Sequence, residues 1–122
     1  MRDFTQLKVW ERSHRLTLAV YKATAAFPKE EQYGLKSQIR RSCASVPANI
    51  AEGCGRGTNA DLARFLQIAL SSASELQYHL LLAQDLSLLN PRDQERLSGE
   101  VTEIKRMLTS FIKNLKDFAN QT

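Results

Sequence analysis

The chain has 122 residues, of which 43% are hydrophobic and 25% charged, and it carries a formal net charge of +4. These values are typical of one globular domain with a hydrophobic core, so we expect a single domain over residues 1–122. No apolar run approaches the roughly 18 residues of a membrane span, and charges replace the apolar block of a signal peptide near the N-terminus, so we expect a cytoplasmic protein without a membrane partner.

The first periodic segment, residues 5–26, predicts an amphipathic helix that ends before Pro28. Its inward positions follow a spacing of three and four residues: Val9, Ser13, Leu16, Val20, Ala23 and Phe27. Glu11 and His14 match the Glu-x-x-His spacing of di-iron bundles, but a second copy of that motif is missing from the sequence. The segment therefore predicts a structural helix rather than a metal site.

The second segment, residues 34–55, predicts a helix that is interrupted by Pro47 and closed by a glycine-rich stretch over 53–57. Its inward positions are Leu35, Ile39, Ser42, Val46 and Ile50. A proline inside a helix costs ~3 kcal/mol or more, because it removes one backbone hydrogen bond and clashes with the preceding turn. We therefore predict a helix kink at Pro47, with the freed carbonyl of Cys43 satisfied by Ser42, Ser45 or a water molecule.

The third and fourth segments, residues 59–88 and 92–119, show the alternating threes and fours of coiled-coil-like helices. In the third, the seam is Leu62, Leu66, Ala69, Ala73, Leu76, Leu80 and Ala83. In the fourth, it is Leu97, Val101, Ile104, Leu108, Phe111, Leu115 and Phe118. Thr58 or Asn59 is expected to cap the third helix, and Asn90 with Pro91 to open the fourth.

Short connections between four helices predict an all-α, antiparallel up-down-up-down four-helix bundle. The third helix carries a second apolar stripe beyond its seam, formed by Phe65, Ile68, Leu82, Leu86 and Leu89. One interpretation is that this helix lies centrally in its own bundle. The other is that the stripe forms a subunit interface, since obligate oligomers hide apolar surface in this way.

Antiparallel pairing about a turn near Gly57 also predicts a register between the second and third helices, with Arg40 opposite Glu75. We interpret four residues as a structural polar cluster: Arg40, Asn49, Glu52 and Glu75. The alternative is that Arg40 faces a ligand. A buried ion pair of this kind adds little net stability but can fix the register of two helices.

Catalytic chemistry is not indicated by any motif. The glycine-rich stretch over 53–57 follows a helix rather than a strand and lacks the Lys-Ser/Thr of a phosphate-binding loop. The two cysteines, Cys43 and Cys54, have no metal-like neighbour pattern, and the serines have no His–Asp partners arranged for nucleophilic attack. We therefore predict a non-enzymatic protein with no catalytic residues, no cofactor and no metal.

A long ordered string of residues carries a family resemblance. The segment FPKEEQYGLKSQIRRSCASVPANIAEGCGR is preceded by LKVWERSHRLTLAVYKAT and followed by FLQIALSSASELQYHLLLAQDL. Over residues 4–90 the chain resembles the bacterial four-helix bundle proteins encoded in 23S rRNA intervening sequences. The positions that match the family motif are Tyr33, Gly34, Leu35, Arg40, Arg41, Pro47, Asn49, Ile50, Glu52, Gly53 and Arg56.

The resemblance implies a bundle subunit similar to relatives that assemble as homopentamers. The same bundle is similar to the accessory protein of diversity-generating retroelements, a basic pentamer that contacts nucleic acid and a reverse transcriptase. An established molecular activity does not come with the family, which takes its name from a genetic location.

Charge distribution adds a functional hypothesis. Residues 1–57 hold ten Lys/Arg and five Asp/Glu, a net of +5, whereas residues 58–122 hold seven and eight, a net of −1. This asymmetry favours an RNA or DNA partner bound through the first two helices. The candidate nucleic-acid-binding residues are Lys36, Arg40, Arg41, Arg56, Arg12, Arg15 and Lys22. The alternative is a pentameric protein-binding scaffold, or an accessory subunit of a reverse transcriptase, with no direct nucleic-acid role.

Overall fold

The computed structural model describes residues 2–121, with side-chain surroundings for residues 2–118. Four α-helices account for most of this range: α1 (Lys8–Thr24), α2 (Leu35–Cys54), α3 (Asn59–Asp85) and α4 (Pro91–Gln121). Two short 3-10 helices, Phe4–Gln6 and Lys29–Glu31, precede α1 and α2. The described residues contain no strand, so the predicted all-α class is confirmed.

Side-chain caps fix the starts of the first 3-10 turn and of helices α3 and α4. Asp3 accepts a hydrogen bond from the Thr5 backbone N–H at 3.0 Å and holds Phe4–Gln6 in a 3-10 turn, so α1 begins at Lys8, three residues later than predicted. Thr58 caps α3 by accepting from the Asp61 N–H at 3.1 Å. Asn90 Oδ1 likewise accepts from the Asp93 N–H at 2.8 Å at the start of α4. Both of these caps were predicted.

Between α1 and α2, and between α2 and α3, the residue numbers of contacting residues rise along one helix as they fall along the other. Thr17 meets Cys43, and two turns further along α1 Thr24 meets Arg40, three residues earlier in α2. Between α2 and α3, Arg41 meets Glu75 and Ser45 meets Ser72. Both of these pairs of helices are therefore antiparallel.

The bundle closes through α4, which packs against both α1 and α3. Arg12 of α1 bonds to Glu100, whereas Arg2, just before α1, lies 5.7 Å from the centroid of the Phe111 ring. Gln77 of α3 bonds to Ser98, near the start of α4. The four helices thus follow one another around the bundle, as the predicted up-down-up-down topology requires. None of them, over the described residues, is long and apolar enough to cross a membrane.

The predicted seams form the core, with deviations in α1 and α4. In α1, Ala23 was predicted to face inward but is only partly buried, and the neighbouring Thr24 is buried instead. Every predicted seam position of α2 and α3 is buried. In α4 the seam is followed as far as Leu108, but Ile112 is then buried, while Phe111 is only partly buried and Phe118 is exposed. An α-helix has 3.6 residues per turn, so a strict seven-residue repeat drifts by about 20° per heptad, and one extra residue brings the seam back to the core.

The residues of the second apolar stripe of α3 differ in burial, so packing within the bundle accounts for some of them and not for others. Phe65 and Leu89, near its ends, are buried in the bundle, and Leu82 is partly buried. Ile68 and Leu86 are exposed. The stripe is therefore only partly explained by packing within one subunit.

Helices α2 and α3 approach closely where their small residues meet. A Cβ atom built on Gly53 would lie 2.9 Å from the Cβ of Phe65, and the hydroxyl oxygens of Ser45 and Ser72 are 2.8 Å apart.

Pro47 is buried within α2, which continues on both sides of it. Ser42 donates to the carbonyls of Gln38 and Ile39 rather than to the Cys43 carbonyl. The helix kink at Pro47 stays a prediction.

Candidate nucleic-acid interface

A basic groove opens between the end of α1 and the start of α2. We call it the α1–α2 groove; its volume is about 510 Å³, and it is lined by Tyr21, Gln32, Tyr33, Lys36, Ser37, Arg40 and Arg41. Helix α1 ends at Thr24, and the chain passes through Pro28 and a 3-10 turn before Gly34 opens α2. This connection sets Tyr33 immediately before a helix whose first two turns carry the three basic residues.

Arg40 is held by neutral oxygen atoms of α1. Its Nε donates to Thr24 Oγ1 at 2.9 Å, its Nη2 donates to the Tyr21 carbonyl at 2.9 Å, and the guanidinium lies 4.4 Å from the centroid of the Tyr21 ring. The Thr24 hydroxyl donates in turn to the Val20 carbonyl at 2.8 Å, which leaves its oxygen free to accept from Arg40. The Arg40 charge is therefore positioned without being neutralised by a carboxylate.

The predicted pairing of Arg40 with Glu75 is wrong, because the neighbouring arginine makes that contact. Arg41 Nη2 donates to both carboxylate oxygens of Glu75, at 3.2 and 3.1 Å, and to Gln38 Oε1 at 2.8 Å. The observed pairs Arg41–Glu75 and Ser45–Ser72 have numbers that sum to 116 and 117 instead of 115. One residue of register turns a side chain by about 100° around a helix axis, so Arg40 faces α1 instead of α3.

The other members of the predicted polar cluster also have separate partners. Asn49 Nδ2 donates to the Ser45 carbonyl at 2.8 Å and to its hydroxyl at 2.9 Å. Glu52 lies 3.8 Å from Arg56, which comes four residues later, just beyond the end of α2. The prediction that Arg40, Asn49, Glu52 and Glu75 form one cluster is therefore wrong, because each side chain finds a nearer partner.

The N-terminal end of α2 is unusually positive. Its first turn contains no acidic residue, and Lys36, Arg40 and Arg41 all lie in its first two turns. A helix macrodipole places about half a positive charge at the N-terminus, where cations are unfavourable and anions are favoured. Glu31 offsets part of this charge, because its Oε1 accepts from the Leu35 backbone N–H at 3.0 Å. The positive charge that remains lies at the α1–α2 groove, which Lys36, Arg40 and Arg41 line.

Two tyrosines complete the groove. The side chain of Tyr21 is covered on one side by Arg40, whereas Tyr33 is 90% exposed. Neither ring was predicted from the sequence to bind a ligand. An aromatic residue directly before a glycine and a basic helix start is the signal that identifies Tyr33; for Tyr21, the signal is its position one turn before the end of α1.

Arg12 and Arg15, two further candidates, lie in a different groove, of about 370 Å³, between α1 and α4. Arg12 forms a two-point ion pair with Glu100, with N–O distances of 2.8 and 2.9 Å, and this contact raises the pKa of Arg12. Arg15 lies 2.6 Å from Glu11. Their charges are thus matched by carboxylates.

Arg56 and Lys22, the remaining candidates, are also separate from the α1–α2 groove lining. Arg56 lies 4.9 Å from the Phe65 ring centroid and comes sixteen residues after Arg40, just beyond the C-terminal end of α2. At 1.5 Å per residue, the two arginines are about 24 Å apart along the helix. Lys22 is exposed on α1. The structure therefore brings together Lys36, Arg40 and Arg41, but not the full predicted set.

Two observations concern metal binding and thiol chemistry in the described part of the chain. Over residues 2–118, no three His, Cys, Asp or Glu side chains converge on a common position for a metal ion. Cys43 and Cys54 are buried free thiols. Burial raises the pKa of the Cys43 thiol to about 11, which leaves little of the reactive thiolate at neutral pH.

Comparisons with known proteins agree on one family. A family model described as "23S rRNA-intervening sequence protein" matches residues 5–110. The 1.70 Å crystal structure of a protein of unknown function from the S23 ribosomal protein family of Bacteroides thetaiotaomicron VPI-5482 is similar, with a TM-score of 0.77 and 30% sequence identity. That similarity covers 86% of this chain and 98% of the Bacteroides chain. A search of curated proteins gave no match.

Proposed function

Since the chain belongs to the 23S rRNA-intervening sequence protein family, we propose that it is a non-enzymatic bundle protein that binds nucleic acid through the α1–α2 groove. The proposed partner is structured RNA, whose loops present unpaired nucleotides, with DNA as the related alternative. The mechanism is contact between phosphate groups and the side chains of Lys36, Arg40 and Arg41, with release of counterions.

One observation carries this proposal. Within the described residues, no carboxylate oxygen lies within 4.0 Å of the charged nitrogens of Lys36 or Arg40, and both residues open into the same groove. Arg41 has a carboxylate partner, but the side chains of that pair are 61% and 39% exposed. An exposed ion pair contributes only about 0–1 kcal/mol, so a phosphate can replace Glu75 at little cost. The local helix dipole further favours an anion at this position.

The proposal is tested by fluorescence anisotropy with a labelled RNA hairpin at 50 and 200 mM salt. Each phosphate neutralised contributes about −0.7 to −0.9 to the slope of log K against log salt, so three contacts per subunit predict a roughly 20- to 40-fold loss of affinity over this range. The double variant Lys36→Gln/Arg41→Gln removes two cations from the groove, and both its affinity and its salt slope are expected to fall.

The matched control is Lys113→Gln. Lys113 is exposed near the C-terminal end of α4, at the opposite end of the bundle from the groove, and its loss changes the net charge without changing the groove. Equal losses of affinity in Lys113→Gln and in a single Lys36→Gln variant would mean that the total charge, not the groove, attracts RNA. No binding at 50 mM salt would refute the proposal.

A second function, self-association into a protein-binding scaffold, is favoured by the outer face of α3. Ile68, Tyr78, Leu81 and Leu86 are exposed there, with the small residues Ser71 and Ser74 between them. Apolar surface of this kind is commonly covered in oligomers. We propose that copies of the chain associate through this face, as a homopentamer by family resemblance, and that the assembly can dock a protein such as a reverse transcriptase.

Light scattering on size-exclusion chromatography tests the assembly. A mass near five times 13.8 kDa is expected for the pentamer, and Tyr78→Ser/Leu81→Ser should lower it. Leu18→Ser, an exposed leucine on α1, is the matched control and should leave the mass unchanged. A monomer at all concentrations would overturn the assembly proposal but not the RNA proposal.

A further inference from the structure

We infer that the α1–α2 groove is specific for unpaired nucleotides, with one base stacked on the ring of Tyr33 while neighbouring phosphates contact Lys36 and Arg41. This inference rests on the proposed nucleic-acid function and names the class of ligand. It covers single-stranded RNA and DNA alike, because the bases of both present the same flat aromatic faces. The inference rests on one observation: an exposed aromatic ring lies in a groove that is also lined by cationic side chains.

Tyr33 is the ring available for stacking. It is 90% exposed, whereas tyrosine side chains usually bury much of their large apolar surface. The other tyrosine of the groove, Tyr21, is already engaged by the Arg40 guanidinium, 4.4 Å from its centroid. Arg40 is in turn fixed by Thr24 and by the Tyr21 carbonyl. The groove thus has one occupied ring, which anchors a cation, and one open ring.

The neighbouring charges line the same groove as Tyr33. Lys36 follows Tyr33 by three residues across the start of α2, and Arg41, in the second turn of α2, lines the same groove. Successive residues of a single strand place a phosphate beside each base. A base on Tyr33 therefore sets its flanking phosphates toward the cations of the groove.

Stacking on Tyr33 selects against a closed duplex. In a duplex the faces of each base are covered by the adjacent base pairs, so a protein ring can stack only on a base that is unpaired or splayed out. The groove offers few neutral side chains that could read base edges, chiefly Gln32 and Ser37. Selectivity for unpaired nucleotides is therefore expected without strong sequence preference.

The test uses three labelled probes: an unstructured 12-nucleotide RNA, a 12-residue abasic strand with the same phosphates, and a 12-base-pair RNA duplex. Affinities are measured by fluorescence anisotropy at 50 mM salt for the full chain and for Tyr33→Ala and Tyr33→Phe. One stacked base corresponds to a roughly five- to 150-fold loss in Tyr33→Ala with the unstructured RNA. Tyr33→Phe keeps the aromatic face and should retain affinity.

The abasic strand and the duplex should lose less than about twofold in Tyr33→Ala, because neither presents an open base face to the ring. Phe118→Ala is the matched control, since Phe118 is also an exposed aromatic residue, at 58%, but lies on α4 outside both the groove and the α3 face. Circular dichroism confirms that each variant is folded.

The outcomes separate this inference from the proposal on which it rests. If Tyr33→Ala weakens all three probes equally, or weakens none, while Lys36→Gln/Arg41→Gln still weakens binding, stacking is refuted and phosphate binding stands. If the unmodified protein binds none of the probes at 50 mM salt, both fail. A loss confined to the unstructured RNA supports both.

Discussion

Replacing Gly53 with alanine should destabilise the protein, although alanine is ordinarily the better helix residue. The added Cβ would lie 2.9 Å from Phe65 Cβ and 3.0 Å from Leu62 Cδ1, whereas ordinary contact begins at 3.4 Å. Helices α2 and α3 must therefore separate locally by about 0.5 Å, the difference between 3.4 and 2.9 Å. Phe65 Cβ is attached directly to the α3 backbone, so a change of side-chain rotamer cannot relieve the contact.

The magnitude follows from two opposing contributions. Overpacking a filled site costs about 1–3 kcal/mol, and alanine regains about 0.5–1 kcal/mol of the helix penalty of glycine. The expected net loss in the free energy of unfolding is about 1 kcal/mol. Gly99 is the matched control, because it lies inside α4 with nothing within 4 Å of an added Cβ. Gly99→Ala should stabilise the protein by about 0.5–1 kcal/mol.

Urea denaturation followed by circular dichroism measures both variants. Protein concentration must be held fixed, because any self-association makes the apparent stability depend on concentration. Slopes of about 1–3 kcal/mol per molar are usual in urea, so the two midpoints should differ by about 1 M. If Gly53→Ala raised the midpoint as Gly99→Ala does, the close approach of α2 and α3 at Gly53 would be refuted.

Two further predictions concern buried and paired groups. Because burial raises the pKa of the Cys43 thiol from 9.0 to about 11, its contribution to stability is complete below pH 9 and falls as the pH rises from about 9 toward 11. Urea midpoints at pH 8 and 10.5 should therefore drop more in the unmodified protein than in Cys43→Ala, and parallel drops would contradict this. The Arg12–Glu100 pair has side chains that are 41% and 34% exposed, so Glu100→Gln should cost less than about 1 kcal/mol in the same urea assay. A loss above 2 kcal/mol would show that solvent screens this pair less than its exposure indicates.

The fold was predictable because the apolar residues that form the core recur every three or four positions along each helix. Leu62 to Ala83 in α3 repeat every three and four residues, and a periodic signal survives an error of one or two residues at either end of a helix. Side-chain caps such as that of Thr58 then fix the ends. The deviation at Phe111 and Ile112 arises because a strict seven-residue repeat does not match the 3.6 residues per turn of an α-helix, so the seam drifts along α4.

The site was less predictable, because it depends on which residues of neighbouring helices lie opposite one another. The repeat of apolar residues along each helix does not determine that. An error of one residue between α2 and α3 left the predicted fold unchanged, yet it exchanged the roles of Arg40 and Arg41. The connection between α1 and α2 has no periodic pattern, so the position of Tyr33 in the groove could not be derived from spacing. Contacts such as Arg40 with Thr24 join two helices whose relative rotation the sequence leaves open.

The exchange of the two arginines gives them complementary parts in the groove. Arg40 is partly buried and bonded to α1, so its charge is fixed in direction and remains uncompensated by a carboxylate. Arg41 is more exposed and pairs with Glu75, so in the absence of ligand its charge is satisfied and α2 is held in register with α3. Under the proposed function, a phosphate would then meet one preorganised cation and one that exchanges an exposed carboxylate for it at little cost. The same groove can thus be stable without a ligand and still favour an anion when one is present.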